Sequence, residues 1–232
     1  MLALAASSLG AEEPPQTDSV PLSGGNLKIS FLGHATLILD WNGWVIHVDP
    51  VSAEADYARL PKADLVLVTH EHSDHLDPAL VKRISKPGTV VVANAVAAAQ
   101  LPGAVALRNG DRKKVGAVEI EAVPAYNTTP GHAGYHPKGG RDNGYLLTIG
   151  GKRIYVAGDT ENTPEMKALK DVYIAFLPMN QPYTMTPEQV ADAARAFRPQ
   201  ILYPYHTGET DTRRLVELLK GSGIDVRIRD LK

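Results

Sequence analysis

From residue 28 onward the chain alternates short apolar runs with polar breaks marked by Gly, Pro and Asn. Runs of this length, rich in Val, Ile and Leu, read as strands. The first three are predicted at 28–32, 35–40 and 44–48, with Asn42-Gly43 as the tight turn between the last two. The run at 64–69 is apolar almost throughout and reads as a strand buried on both faces; 89–93 is similar. More strands are expected between 105 and 123. A hairpin is expected from 145–149 and 153–157 around Gly150-Gly151, then strands at 171–177, 199–203 and 225–228.

Helix signals punctuate these runs. Asp77-Pro78 supplies an N-cap and a first helical residue for a helix ending near Ile84, and an Ala-rich helix is expected over 94–101. Thr186-Pro187-Glu188-Gln189 has the form of a capping box and opens a helix at 190–197. A further helix over 212–220 stops at Gly221. Strands interspersed with helices imply α/β or α+β layers. No repeat or linker divides 28–232, so residues 26–232 are expected to form one domain. Residues 1–25 are expected to be a tail. Its start resembles the end of a secretory apolar region and cleavage zone without the charged lead, and 12–25 is rich in Pro, Gly, Ser and acid and expected to be poorly ordered. A signal-peptide remnant there would place the protein in the periplasm or outside the cell; a plain tail would leave it cytoplasmic.

Composition narrows the class. The chain is 44% hydrophobic with a net charge of −2. No run has the length of a membrane span, and no basic stripe argues for nucleic acid. The expected partner is a small-molecule substrate, with homo-oligomer formation left open. There is no cysteine, so any metal must be held by His, Asp, Glu or Asn.

The chemistry concentrates at His70-Glu71-His72-Ser73-Asp74-His75, directly after the buried strand at 64–69. On a helix His70 and His72 would project to opposite sides, whereas a strand-to-loop turn can fold His70, His72, Asp74 and His75 around one small volume. Imidazole and carboxylate suit zinc and similar divalent ions. A helical His-Glu-x-x-His site is excluded, because position 74 is Asp. Other potential ligands also follow apolar runs: His132 and His136 in the long Gly/Pro-rich loop after 118–123, Asp159 in Gly158-Asp159-Thr160, and His206 in Pro204-Tyr205-His206.

The His70-x-His72-x-Asp74-His75 pattern resembles the signature of the metallo-β-lactamase superfamily of metal-dependent hydrolases. That resemblance implies a four-layer αββα sandwich with its site on the rim where strands end. It implies two divalent ions, zinc first, with manganese or iron as alternatives. His70 and His72 would hold one ion with a third histidine; Asp74, His75 and His206 would hold the second; Asp159 would bridge. The third histidine departs from the usual spacing, since Pro124-Ala125-Tyr126 is followed by Asn127. His136, in Tyr135-His136-Pro137-Lys138, is favoured over His132. Relatives with Gly33-His34-Ala35-Thr36 place that histidine near the pocket, and an aspartate at the position of Asp49 often supports a metal-binding histidine. Lys138 and Arg141 could meet an anionic substrate but read first as solvated loop residues. Tyr183 and Tyr205 read as packing or pocket-wall residues, and His47 as structural. The implied reaction is attack of a metal-bound hydroxide on an ester, lactone or phosphodiester, with Asp74 orienting the nucleophile and His34 assisting proton transfer. Gly33-His34-Ala35-Thr36 and Gly158-Asp159-Thr160 resemble the branch with ascorbate-6-phosphate lactonase-like and phospholipase D-like members more than true β-lactamases. The alternative is a metal-binding protein without hydrolysis, an iron redox protein or a degenerate binding module.

Overall fold

The computed structural model describes residues 14–231. Two seven-stranded sheets run in chain order. The first contains β1 (Gln16–Leu22), β2 (Gly25–Gly33), β3 (Thr36–Trp41), β4 (Trp44–Val48), β5 (Ala63–Val68), β6 (Ser85–Ala93) and β7 (Val105–Ala106). The second contains β8 (Arg112–Val115), β9 (Val118–Ala125), β10 (Asp142–Ile149), β11 (Lys152–Val156), β12 (Val172–Pro178), β13 (Ile201–Tyr205) and β14 (Asp225–Val226). In each sheet the first four strands pair antiparallel and the rest continue parallel.

Three apolar interfaces separate four layers. Leu65 and Leu67 of β5 point between the sheets, where they join a core containing Leu37, Leu39, Tyr145, Phe176 and Tyr203. Val66 and Val68 point the other way, onto Leu80, Val81 and Ile84 of α1 (Pro78–Ile84). This is why the run at 64–69 shows no polar alternation: both faces are covered. All four side chains are fully buried, each contributing roughly 1.5–3 kcal/mol of transfer free energy. On the far side Ala175, Leu177 and Leu202 pack against Val190, Ala194 and Phe197 of α4 (Pro187–Phe197). The expected αββα sandwich is therefore present.

Local signals fix the helix starts. Asp77 Oδ1 accepts the Leu80 N–H at 2.9 Å ahead of Pro78. Thr186 and Gln189 cap each other reciprocally, at 3.1 and 2.8 Å. α2 (Ala95–Ala98), α3 (Pro164–Lys167) and α5 (Arg213–Leu218) are short; α2 and α5 fall inside the longer predicted ranges. No helix among the described residues is long and apolar enough to cross a membrane.

One expectation is overturned. Residues 16–22, expected within a poorly ordered tail, form β1, paired along its whole length with β2. Only Val20 of this strand is buried, so composition gives little sign of it; backbone pairing with β2 and the clamp on Asp18 hold it. Asp18 accepts hydrogen bonds from Arg229 at 2.6 Å and from Tyr203 Oη at 2.5 Å. Pro21 is tolerated because β1 is an edge strand. The candidate signal-peptide remnant, residues 1–11, lies outside the described residues. β10 also starts earlier than predicted, at Asp142 rather than 145.

Candidate metal centre

Parallel strands deliver their carboxyl ends to one edge, which is where ligands gather in sheets of this kind. Asp49 follows β4, the 70–75 segment follows β5, Asp159 follows β11, and His206 follows β13. β2 and β9 run in the same sense as these strands, so the β2–β3 turn carrying His34 and the β9–β10 loop carrying His136 reach the same rim.

Cross-sheet bonds stitch that rim. Asn143 N–H donates to Thr69 O at 3.1 Å, and Tyr145 Oη donates to Val68 O at 2.8 Å. His206 N–H donates to His34 O at 3.0 Å. Gly158 sits in the seam with φ +66°; an added Cβ would lie 2.7 Å from Asn143 O and 3.1 Å from Thr69 Cβ. Glycine is required there by both close approach and backbone angle.

Asp159 is buried at the centre and faces two groups. Its Oδ2 lies 3.4 Å from His136 Nε2, 4.0 Å from His70 Nε2 and 3.2 Å from His206 Nε2. Its Oδ1 lies 3.4 Å from His75 Nε2. On one side His70 Nε2 and His72 Nδ1 are 3.1 Å apart, and ligand atoms of His70, His72 and His136 all fall within 4.8 Å of one another. On the other, His34, Asp74, His75 and His206 meet the same criterion. His34 Nε2 is 3.2 Å from Asp74 Oδ2, and the His34 and His206 rings are 3.8 Å apart.

Outer residues aim these rings. Asp49 Oδ2 binds His75 Nδ1 at 2.9 Å and also accepts from Thr69 Oγ1 at 2.7 Å, while its Oδ1 accepts the Thr69 N–H at 2.8 Å. Thr69 Oγ1 lies 3.0 Å from His70 Nδ1. Asp142 Oδ2 holds His136 Nδ1 at 2.9 Å. Such contacts leave the opposite nitrogen facing the cavity. His34, Asp49 and His206 have φ of 47°, 43° and 48°, a strained region for side-chain-bearing residues that clusters at functional sites.

The electrostatics fit a cation. Burial pushes the Asp159 carboxyl up, but His206 and His75 outweigh it and hold it well below the usual carboxylate range. Burial drives His70 well below its ordinary value, favouring the neutral, ligating form. For Asp74, burial acts upward and is outweighed by the His34 hydrogen bond and His75, so it stays ionised. Burial lowers His34, and the Asp74 contact more than reverses this, leaving it raised. Asp159 Oδ1, His75 Nε2 and His206 Nε2 are buried without a hydrogen-bond partner. Orphaned polar atoms of this kind are rare unless something else satisfies them. Lone pairs converging from five chain segments on such atoms fit divalent cations, and the nitrogen and oxygen donor set suits zinc, manganese or iron.

The two loop histidines separate clearly. His136 is buried and faces Asp159, whereas His132 Nδ1 is 3.0 Å from Glu161 Oε1. Glu161 Oε2 also accepts from the N–H groups of Thr128 and Thr129, pinning the loop. Sequence reasoning missed Asp142 and Glu161; the one clue to Asp142 is an acidic residue opening the strand after a histidine-bearing loop. Arg141 does not reach outward as a free cation but binds Asp142, Glu71 and Tyr135 O. Lys138 lies over the Tyr126 ring. Tyr205 is buried and Tyr183 exposed. His47 is buried on β4, its Nε2 2.9 Å from Pro61 O.

Comparison with known proteins places this geometry. Residues 28–206 match the family model described as the beta-lactamase superfamily domain. The chain belongs to the metallo-β-lactamase superfamily. Within it, the chain groups with the UPF0173 metal-dependent hydrolases: one from Symbiobacterium thermophilum is 30% identical over 214 residues, spanning 88% of this chain and 92% of the relative. A crystal structure of a candidate metal-dependent hydrolase from Parabacteroides distasonis is 54% identical with a TM-score of 0.91, covering 94% of this chain and all of that one. Igni18, a metallo hydrolase from the archaeon Ignicoccus hospitalis, is 25% identical with a TM-score of 0.73, covering 88% and 95% of the two chains. This member of the superfamily thus falls in a family named for metal-dependent hydrolases, and it carries a His/Asp cluster suited to metal.

Proposed function

We propose that the protein is a binuclear metallo-hydrolase that cleaves an ester, lactone or phosphodiester bond of a small molecule, with zinc as the expected metal. His70, His72, His136 and Asp159 would hold one ion; Asp74, His75, His206 and Asp159 would hold the other. A pair of divalent ions there supplies Lewis-acid stabilisation of negative charge and makes a water acidic near neutral pH. The observation that carries this reading is buried Asp159, whose carboxylate lies between the two groups: Oδ2 is 3.4 Å from His136 Nε2 and 3.2 Å from His206 Nε2, and Oδ1 is 3.4 Å from His75 Nε2.

The chain's own residues complete the chemistry. Asp74 has half its side chain exposed, at 51%, so it stands at the mouth where substrate and water enter. It accepts a hydrogen bond from the attacking water and aligns it. Water oxygen bonds to the carbonyl carbon or phosphorus, the bond to the leaving oxygen breaks, and the released proton passes through Asp74 and His34 to that oxygen. The motif resemblance of Gly33-His34-Ala35-Thr36 and Gly158-Asp159-Thr160 to lactonase-like sequences is what favours an ester or lactone over a β-lactam in this reading.

Elemental analysis of protein purified without chelator, with a panel of lactones, phosphodiesters and nitrocefin, tests the reading. Bound metal is expected, with turnover of a lactone or phosphodiester that is lost on His72→Ala. Metal-free protein after supplementation, or wild-type turnover in that variant, would overturn it.

A further inference from the structure

The three-histidine side of the centre is assembled from two segments remote in sequence: His70 and His72 follow β5, and His136 lies in the β9–β10 loop. One arginine joins them. Arg141 Nε donates to Asp142 Oδ1 at 2.6 Å and Nη2 donates to Asp142 Oδ2 at 2.7 Å, a two-point fork. The same Oδ2 holds His136 Nδ1. Arg141 Nε also lies 3.3 Å from Oε1 of Glu71, the residue between His70 and His72. Nη2 further donates to Tyr135 O at 2.8 Å, next to His136. Asn94, after β6, braces both ends: its Nδ2 donates to Glu71 Oε2 at 3.0 Å and to Arg141 O at 2.9 Å.

The other side of the centre is assembled differently. His75 is aimed by Asp49, which comes from the end of the neighbouring strand β4, and His206 comes directly off β13. Those ligands are placed by strand ends, whereas His136 rides on a loop sixteen residues long, 126–141, and Arg141 carries that loop's ion pair to the His70–His72 segment.

We propose that Arg141 is a positioning residue for one metal half-site only: it clamps the β9–β10 loop to the segment carrying His70 and His72, so that three imidazoles converge on one ion. This rests on the binuclear reading above. Its charge is spent on Asp142 and Glu71, so it serves assembly of the centre rather than capture of an anionic substrate.

Zinc titration of metal-free protein against a chromogenic chelator tests it. Wild type is expected to take up about two equivalents. Arg141→Met is expected to weaken one equivalent by about 10- to 100-fold, the usual effect of removing an outer partner, and to leave the other unchanged. The effect should be non-additive with His136→Gln and additive with His206→Gln, which fixes the half-site. Arg141→Lys keeps the charge without the fork, and should recover only part of the loss. It also stands in if the methionine variant does not fold. Unchanged affinity for both equivalents, or equal weakening of both, would overturn the proposal while leaving the binuclear reading intact. A wild-type protein that takes up no zinc, manganese or iron would instead overturn the reading beneath it.

Discussion

The two sheets share one strand plan and use it differently. Each begins with four antiparallel strands and continues parallel, so β4 corresponds to β11 and the β2–β3 turn to the β9–β10 loop. Shortly after β4 and β11 stand two buried aspartates, Asp49 and Asp159. Asp49 turns away from the open centre and holds His75 and Thr69, all of its bonds made within the protein. Asp159 faces the centre with one oxygen lacking any hydrogen-bond partner. The matching connections also diverge: a tight turn presents His34, and a long loop presents His136. A shared scaffold thus sets where chain ends arrive, while the residue at each end and the partner behind it decide whether that end supports the centre or faces it.

The largest effect expected from breaking this comparison is at Asp159. Asp159→Asn removes a charge shared by both histidine groups and should lower turnover by several kcal/mol of barrier, on the order of 10³-fold, measured as kcat/KM on whichever panel substrate the wild type hydrolyses. Asp49→Asn, just past β4 of the other sheet, should disturb the His75 side more than the His70–His72–His136 side, which it reaches only through Thr69.

His47 on β4 offers a control for acid sensitivity away from the centre. Burial pushes its pKa down to about 4, with only the Pro61 carbonyl contact acting upward. Its Nδ1 has no partner, so a second proton would be buried without an acceptor. The unfolded chain takes up that proton near pH 6.5, the folded chain near 4. The stabilisation is therefore present above about 6.5 and lost as pH falls towards 4, a loss of about 3 kcal/mol. Denaturant melts of the metal-free protein between pH 7 and 4 should show it, and His47→Gln should flatten that slope.

His34→Gln should reduce turnover by roughly 10²-fold, the usual scale for losing a proton-transfer group, with zinc content unchanged. Asp49→Asn should weaken one zinc equivalent by about 10- to 100-fold, since its carboxylate aims His75 directly and reaches His70 only through Thr69. Equal damage from Asp49→Asn and Asp159→Asn would erase the distinction between the two aspartates.

Much of this arrangement was legible in the sequence because it is local. His70, His72, Asp74 and His75 share one strand-to-loop turn, and Asp159 and His206 each sit just past an apolar run. The choice between His132 and His136 was not local. Both lie in one loop, and what separates them is Glu161 behind the first and Asp142 behind the second. β1 was hidden for a related reason: its composition is that of a loop, and the partners that order it are β2 and the distant residues Tyr203 and Arg229. Composition reports what a segment can bury, not which remote edge it will pair with.

The most direct measurement is the metal content of wild type and Asp159→Asn, purified side by side without chelator and resupplied with zinc. About two ions per wild-type chain and a clear loss in the variant are expected if Asp159 lies between two cations. A wild-type chain that retains no metal, or a variant that retains as much as the wild type, would contradict the account.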